Sequence, residues 1–439
     1  MGNPNPHAVG AFEGVDIPSY DAIINCIHCG LCLPHCPTYV VTGLESSSPR
    51  GRIRLIKSVA DGDLPMTKKF AEEMDFCLDC QACETACPAG VKYGSLVEAA
   101  RAQIFQQGHE PWIRSLNKRI FLSWFFRQPS RLHVLARILR LVERSGLQSF
   151  LQRVGVVGLF SSALQKAQGL SPPISSRFSS EMLPEVLTPP GSVRRRVGFL
   201  TGCIMDVAYA DVNMDTVDLL LKSGCEVVTP RGQGCCGSVQ AHNGDPVTAR
   251  LLAKENILVF ERQDLDAIVM NSAGCGAYMK EYGHVFQGDS EWSERAAGVA
   301  RRVKDITEFL DEIGFQPSEQ SPYVRGKRVT YHDACHLVHT QKISEQPRRL
   351  LKSIRGLEYV ELPEASWCCG SAGIYNVTRY DDSMKFLRRK IEHIKEARPD
   401  VIVTGNPGCM VQIQHGLREA GIKAELVHTA TFLRRACEA

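Results

Sequence analysis

The sequence predicts an α plus α/β multidomain protein, with a helical, cysteine-rich N-terminal domain followed by a duplicated α/β module built on parallel sheets. Three observations predict it. The chain has 439 residues, well beyond the roughly 150 usual for one domain. Eight of its 18 cysteines fall into two identical runs near the N-terminus, and eight others recur at a nearly fixed offset in the second half. A composition of 44% hydrophobic and 23% charged residues is that of a globular protein and excludes a wholly disordered or collagenous chain. No run of about 18 uncharged apolar residues is present, so no membrane-spanning helix is expected. Met1 to Gly14 lacks the basic and apolar regions of a secretory signal. Pro6 stands where a myristoylation sequence needs Ser or Thr. The expected location is cytoplasmic, where thiols stay reduced and serve as metal ligands more than as disulfides.

The first run is Cys26-x2-Cys29-x2-Cys32-x3-Cys36-Pro37, and the second is Cys77-x2-Cys80-x2-Cys83-x3-Cys87-Pro88. This is the two-cluster ferredoxin spacing, in which three thiolates of a run hold one cubane and the fourth crosses to the other. The expected ligands are Cys26, Cys29, Cys32 and Cys87 for one [4Fe–4S] cluster, and Cys77, Cys80, Cys83 and Cys36 for the second. The proline is expected to stop the turn from continuing as helix before the last ligand. Structural zinc would use paired Cys-x2-4-Cys units or added histidines, which this pattern is not. Between the runs, Ser48-Pro49-Arg50-Gly51-Arg52 reads as a turn and a helix start. Its arginines either lie beside the clusters, favouring their reduced form, or make a solvated helix face. Residues 1–110 form this domain.

In the second half, Cys203, Cys235-Cys236 and Cys275 are matched by Cys335, Cys368-Cys369 and Cys409, at offsets of 132, 133 and 134 residues. That small drift marks a duplication with loop insertions. The cysteines follow short β-branched runs with helical patterns between them, the grammar of a parallel sheet. They therefore fall in loops beyond strand C-termini, where open α/β sheets bind ligands. The two modules are assigned to 196–320 and 321–439. Each offers four thiols, a soft set suited to a further iron–sulfur cluster or another metal; a redox dithiol or plain core cysteines are the competing readings. Cys225 and Cys437 have no repeat partner and read as core and terminal residues.

Gly232-Gln-Gly234-Cys-Cys-Gly237 matches a dinucleotide fingerprint, but the second copy keeps only Cys-Cys-Gly, so the nucleotide reading is rejected. His332, His336 and His339 surround Cys335 in sequence. The first module has no such histidine beside Cys203, so their expected role is structural or in support of ligands rather than ligation.

Residues 111–195 are read as a basic helical segment and linker. From Arg101 to Arg196, 15 Lys or Arg face 4 Asp or Glu. Leu132, Leu135, Ile138, Leu139 and Val142 keep helical spacing, and Trp112, Phe121, Trp124, Phe125 and Phe126 add aromatics. Such a segment, 118–153, suits peripheral contact with an anionic membrane face or an acidic partner, and equally a packed helix with a solvated basic face. No nucleic-acid motif accompanies the charge, so no nucleic-acid partner is expected. Ser171 to Ser192, with five prolines and six serines, reads as an interdomain linker.

With these residues in hand, the chain resembles the iron–sulfur subunits of glycolate oxidases. The phrases that carry the resemblance are His28-Cys-Gly-Leu-Cys, Cys36-Pro-Thr-Tyr, Pro49-Arg-Gly-Arg-Ile, Ser272-Ala-Gly-Cys-Gly-Ala, Lys280-Glu-Tyr-Gly and Cys368-Cys-Gly-Ser-Ala-Gly. The doubled Cys-Cys-Gly modules are more distantly similar to those of heterodisulfide reductase, lactate-utilisation proteins and the anaerobic glycerol-3-phosphate dehydrogenase C subunit. In heterodisulfide reductase a further cysteine closes the motif; here Tyr278 and Gln412 stand in its place, which argues against a catalytic noncubane cluster. The resemblance implies a subunit that takes single electrons from flavoprotein subunits oxidising glycolate or D-lactate and passes them toward the quinone pool. No flavin is expected on this chain. A reductase with catalytic Cys-Cys-Gly modules and a redox sensor are the alternatives from other classes.

Overall fold

The computed structural model describes residues 12–110, 112–145, 169–317 and 321–438. The first 11 residues, which bear on targeting, and residues 146–153 of the basic segment lie outside these. The chain divides into two units. One comprises Met1–Phe125 and Gly237–Leu251, the other Phe126–Cys236 and Leu252–Ala439. The N-terminal unit thus takes in a stretch just after Cys235-Cys236 that no sequence pattern announces.

In the first unit, the helix Pro49–Ala60 starts as the sequence suggests. Ser48 Oγ accepts from the Gly51 amide at 3.0 Å, and Pro49 occupies the first helical position, where a missing amide costs nothing. Ile53, Ile56 and Val59 from this helix meet Phe70, Met74, Leu96, Val97, Ala100 and Ile104 in one core. Both cysteine runs bend alike. His28 and Asp79 have φ of 54° and 53°, and the residues two further on, Gly30 and Gln81, have 84° and 58°. Repeated left-handed residues wrap the chain so that closely spaced cysteines converge. Pro37 does not simply stop a turn: it opens the helix Pro37–Thr42, with Cys36 as its N-cap. Its fixed φ suits that first position.

The second unit holds two sheets among the described residues. The first contains β1 (Val186–Leu187), β2 (Arg195–Phe199), β3 (Cys225–Val228), β4 (Ala267–Met270) and β5 (Val303–Asp305), in the order β1-β3-β2-β4-β5. The second contains β6 (Arg328–Tyr331), β7 (Glu358–Tyr359), β8 (Val401–Thr404) and β9 (Glu425–His428), in the order β7-β6-β8-β9. All pairings are parallel except β1 with β3. Without β1, both sheets have one topology, as a duplication requires. All four residues of β4 and of β8 are buried, the continuous apolar pattern of strands covered on both faces. Val197, Phe199 and Val269 share one core with Val329, Tyr331, Val403 and Phe432, so the copies bury their apolar faces together.

The Pro/Ser-rich stretch read as a linker carries packed anchors: Phe178 and Leu183 are buried and Val186–Leu187 pairs with β3. The helix Pro129–Arg144 packs through Leu132 and Ala136 against Phe178 and Val207, with His133 stacked on Phe178 at 4.6 Å. Ile138, Leu139 and Val142, from the expected stripe, are exposed along with Val134 and Leu141.

Candidate iron–sulfur and metal sites

Two cysteine-lined cavities lie in the first unit. One is bordered by Cys26, Cys29, Cys32, Cys87 and Cys83, beside Arg50. The other is bordered by Cys36, Cys77, Cys80 and Cys83, beside Arg52. Cys87 thus borders the cavity of the first run, and Cys36 that of the second. Cys83 borders both, so the cavities share a wall. Cys29 is exposed, whereas Cys36, Cys77, Cys80 and Cys83 are buried.

The thiols suit a cationic cluster core. Burial first, and then the neighbouring Cys26 and Cys36, push Cys32 up to about 11. Cys83 is raised well above its ordinary value by burial and by Cys80, Cys77 and Cys36. Gathered thiolates repel one another, and positive charge between them removes that cost. The donor sets and cavities therefore fit [4Fe–4S] clusters.

Two buried arginines serve the second run, and Arg52 lines its cavity. Arg52, wholly buried, donates from Nε to the Glu73 carbonyl at 2.8 Å and from Nη1 to Thr38 Oγ1 at 3.1 Å. Thr38 Oγ1 lies 3.2 Å from Cys36 Sγ. Burial opposes the charge of Arg52, but Tyr93, Cys77, Cys36 and Glu73 outweigh it and raise its pKa. Arg101 donates from Nη2 to the carbonyls of Met74, at 2.9 Å, and Cys77. Of the arginines read from the sequence, Arg52 is therefore no solvated face, while Arg50 lines the first cavity and pairs with Glu45.

Sequence reasoning missed a polar cluster below the second run. His242 Nδ1 lies 2.5 Å from Glu98 Oε1 and 3.2 Å from Asp79 Oδ2. Burial opposes its charge, but the two carboxylates raise its pKa well above the usual imidazole range. A protonated His242 thus sits between carboxylates, one of them on the loop between Cys77 and Cys80. No spacing rule links residues so distant in sequence.

In the second unit, Cys203 and Cys275 follow β2 and β4, and Cys335 and Cys409 follow β6 and β8 at equivalent helix starts. After each thiol pair the chain must turn left-handed: Gly237 and Gly370 have φ of 93° and 91°. That requirement explains why the glycine of Cys-Cys-Gly recurs. In the first module the structure brings the four thiols together. Contact with Cys235, then burial, raises Cys203, and contacts with Cys235 and Cys275 raise Cys236. Cys275 is lowered, chiefly by its contact with Cys236.

The second module groups differently. Cys369 contacts Cys368 and Cys409, and the compact ligand-type group is His332, Cys369 and Cys409. Cys335 is not one of those three. Tyr278 and Gln412, at the positions of the motif-closing cysteine of heterodisulfide reductase, are buried. Tyr278 packs edge-on against Tyr282, and Gln412 donates to Ser383 Oγ at 2.7 Å.

Comparison with known families agrees with this layout. A 4Fe-4S dicluster domain matches residues 22–91, and a cysteine-rich domain matches twice, over 197–280 and 329–414. The linker region of the glycolate oxidase iron-sulfur subunit matches 113–171. The probable glycolate oxidase iron-sulfur subunit of Bacillus subtilis is 40% identical over 94% of both chains. The glycolate oxidase iron-sulfur subunit of Escherichia coli is 31% identical over 90% of both. Lactate utilization protein A of Oceanobacillus iheyensis is 32% identical over 54% of this chain and 96% of its own. A dicluster domain ahead of a doubled cysteine-rich module defines an iron–sulfur electron-transfer subunit of an oxidoreductase. The chain belongs to the glycolate oxidase iron–sulfur subunit family.

Proposed function

We propose that this chain carries single electrons within a flavin-dependent 2-hydroxy-acid oxidase acting on glycolate or D-lactate. It takes them from separate flavoprotein subunits and passes them toward quinone. The observation that carries this reading is the pair of adjoining cysteine-lined cavities in one unit. Bound there, two [4Fe–4S] clusters supply one-electron chemistry. Cys26, Cys29, Cys32 and Cys87 hold one, and Cys77, Cys80, Cys83 and Cys36 the other. Exposed Cys29 makes the first site the edge for exchange with a partner. The Cys-Cys-Gly modules carry further metal, and residues 1–110 perform the transfer.

The helix Pro129–Arg144 supports peripheral contact with the cytoplasmic face of a membrane. It exposes Val134, Ile138 and Leu141 among Arg131, Arg137 and Arg144. No helix of the described residues is long and apolar enough to cross a membrane.

The test is dye-linked oxidation of glycolate and D-lactate. The purified chain is expected to be inactive and free of flavin, and addition of the flavoprotein subunits to give activity that depends on its cysteines. Stoichiometric flavin in the isolated chain, or full activity without partners, would sink the reading.

A further inference from the structure

We propose that the second module binds one zinc-type divalent ion through His332, Cys368, Cys369 and Cys409, a ligand set the first module cannot supply. This rests on the reading above of the modules as metal sites. His332 directly follows β6 and is 1% exposed. Neither of its ring nitrogens makes a well-formed hydrogen bond, the Ala365 backbone being the one hydrogen-bonding group that acts on the ring. A buried polar atom without a partner is costly, and ligation would satisfy one of the two nitrogens. A metal takes the ring in its neutral form.

Spacing selects a single ion. A ring nitrogen of His332 and the Cys369 and Cys409 sulfurs lie within 4.8 Å of one another, and the Cys368 thiol contacts that of Cys369. Ligands at roughly 2.0–2.3 Å around one tetrahedral zinc stand this close. The thiolates of a cubane bind different irons and stand farther apart. The site is also braced: the Gly370 amide points at Cys368 Sγ at 3.5 Å, and Asn406 Nδ2 at Cys409 Sγ at 3.6 Å. Supporting hydrogen bonds of this kind orient ligands.

Charge agrees. Three thiolates and a neutral imidazole around a divalent ion leave one negative charge. Lys390 lies in the buried stripe of the helix Tyr380–Ala397, with Phe386, Leu387 and Ile394. Its Nζ donates to the Glu364 and Ala365 carbonyls at 2.5 and 3.1 Å; burial lowers its pKa to about 8, against the opposing pull of Cys369, Asp333, Cys368 and Cys409. Counting from the cysteines, the first module has Leu200 for His332 and Ile257 for Lys390, both buried. The modules thus differ at both polar positions together.

The test uses the full chain purified anaerobically, with zinc and iron quantitation and zinc K-edge absorption. Wild type is expected to hold one zinc per chain with three sulfur and one nitrogen scatterer. His332→Ala should lose most of the zinc with iron unchanged, His332→Cys should keep it with four sulfurs, and Cys335→Ser should keep the wild-type spectrum. Zinc retained in His332→Ala but lost in Cys335→Ser would overturn the ligand set and leave the modules as metal sites. Zinc-free protein whose iron falls in Cys368→Ser/Cys369→Ser would mean a cluster instead of a single ion. Metal content unchanged by that double variant, with no zinc, would overturn both readings.

Discussion

His428, at the end of the second sheet, hydrogen-bonds through Nε2 to the Asn271 carbonyl at the end of β4, at 2.8 Å. Its Nδ1 accepts from the Ala430 amide at 3.1 Å, so the ring is neutral, with its proton on Nε2. One side chain therefore ties the first sheet to the second and caps the helix Thr429–Ala436.

That role makes stability depend on pH. Burial pushes His428 from 6.5 down to about 4. The unfolded chain then binds more protons between these values, so stability is full above pH 6.5 and is lost as pH falls toward 4. The shift corresponds to at most about 3 kcal/mol. His428→Asn should lower stability at pH 7 and flatten the decline between pH 7 and 5 in denaturant melts. Parallel pH profiles for the two proteins would refute the linkage.

Arg52 offers a second test. A buried guanidinium beside the second cavity favours the more reduced, more negative state of a cluster held there. Arg52→Gln should make that cluster's midpoint potential more negative by tens of millivolts, the scale of one charge at an effective dielectric of about 20. Arg52→Lys, which keeps the charge, should lie near wild type. Redox titration followed by EPR distinguishes them. An unchanged potential in Arg52→Gln would leave the arginine a purely structural role.

Membrane contact makes a third prediction. The arginines of the helix Pro129–Arg144 would each contribute about 1 kcal/mol near an anionic surface, screened by salt. Binding to vesicles with acidic lipids should weaken as salt rises, and Ile138→Glu/Leu141→Glu should abolish it. Sedimentation that ignores salt, lipid charge and this double variant would leave the exposed face to a protein partner.

Much of this architecture was legible because cysteine spacing is a local signal. The ferredoxin runs, the offset repeat and the β-branched strands before Cys203, Cys275, Cys335 and Cys409 all reappear in the structure. What escaped depends on contacts between distant residues. His242 meets Asp79 and Glu98 across much of the chain, and Phe178 and Leu183 turn a linker-like composition into packed structure. His332 stands out less in the sequence for a subtler reason: a repeat highlights what two copies share, whereas His332 occurs in one copy only. That its ring nitrogens lack well-formed hydrogen bonds shows only once the packing is known.

The crossed arrangement of the ferredoxin cysteines gives the last prediction. Cys36 borders the cavity of Cys77, Cys80 and Cys83, and Cys87 borders that of Cys26, Cys29 and Cys32. Serine is a poor substitute for a thiolate ligand, so each substitution should damage the cluster of the other run. Cys36→Ser should alter the EPR signal that Arg52→Gln shifts, because Arg52 lines the same cavity. Cys87→Ser should leave that signal and disturb the one near exposed Cys29. Three-iron signals or loss of about half the iron would both register the damage. If Cys36→Ser instead disturbed only the cluster of Cys26, Cys29 and Cys32, ligation would follow sequence neighbours and the crossing would be refuted.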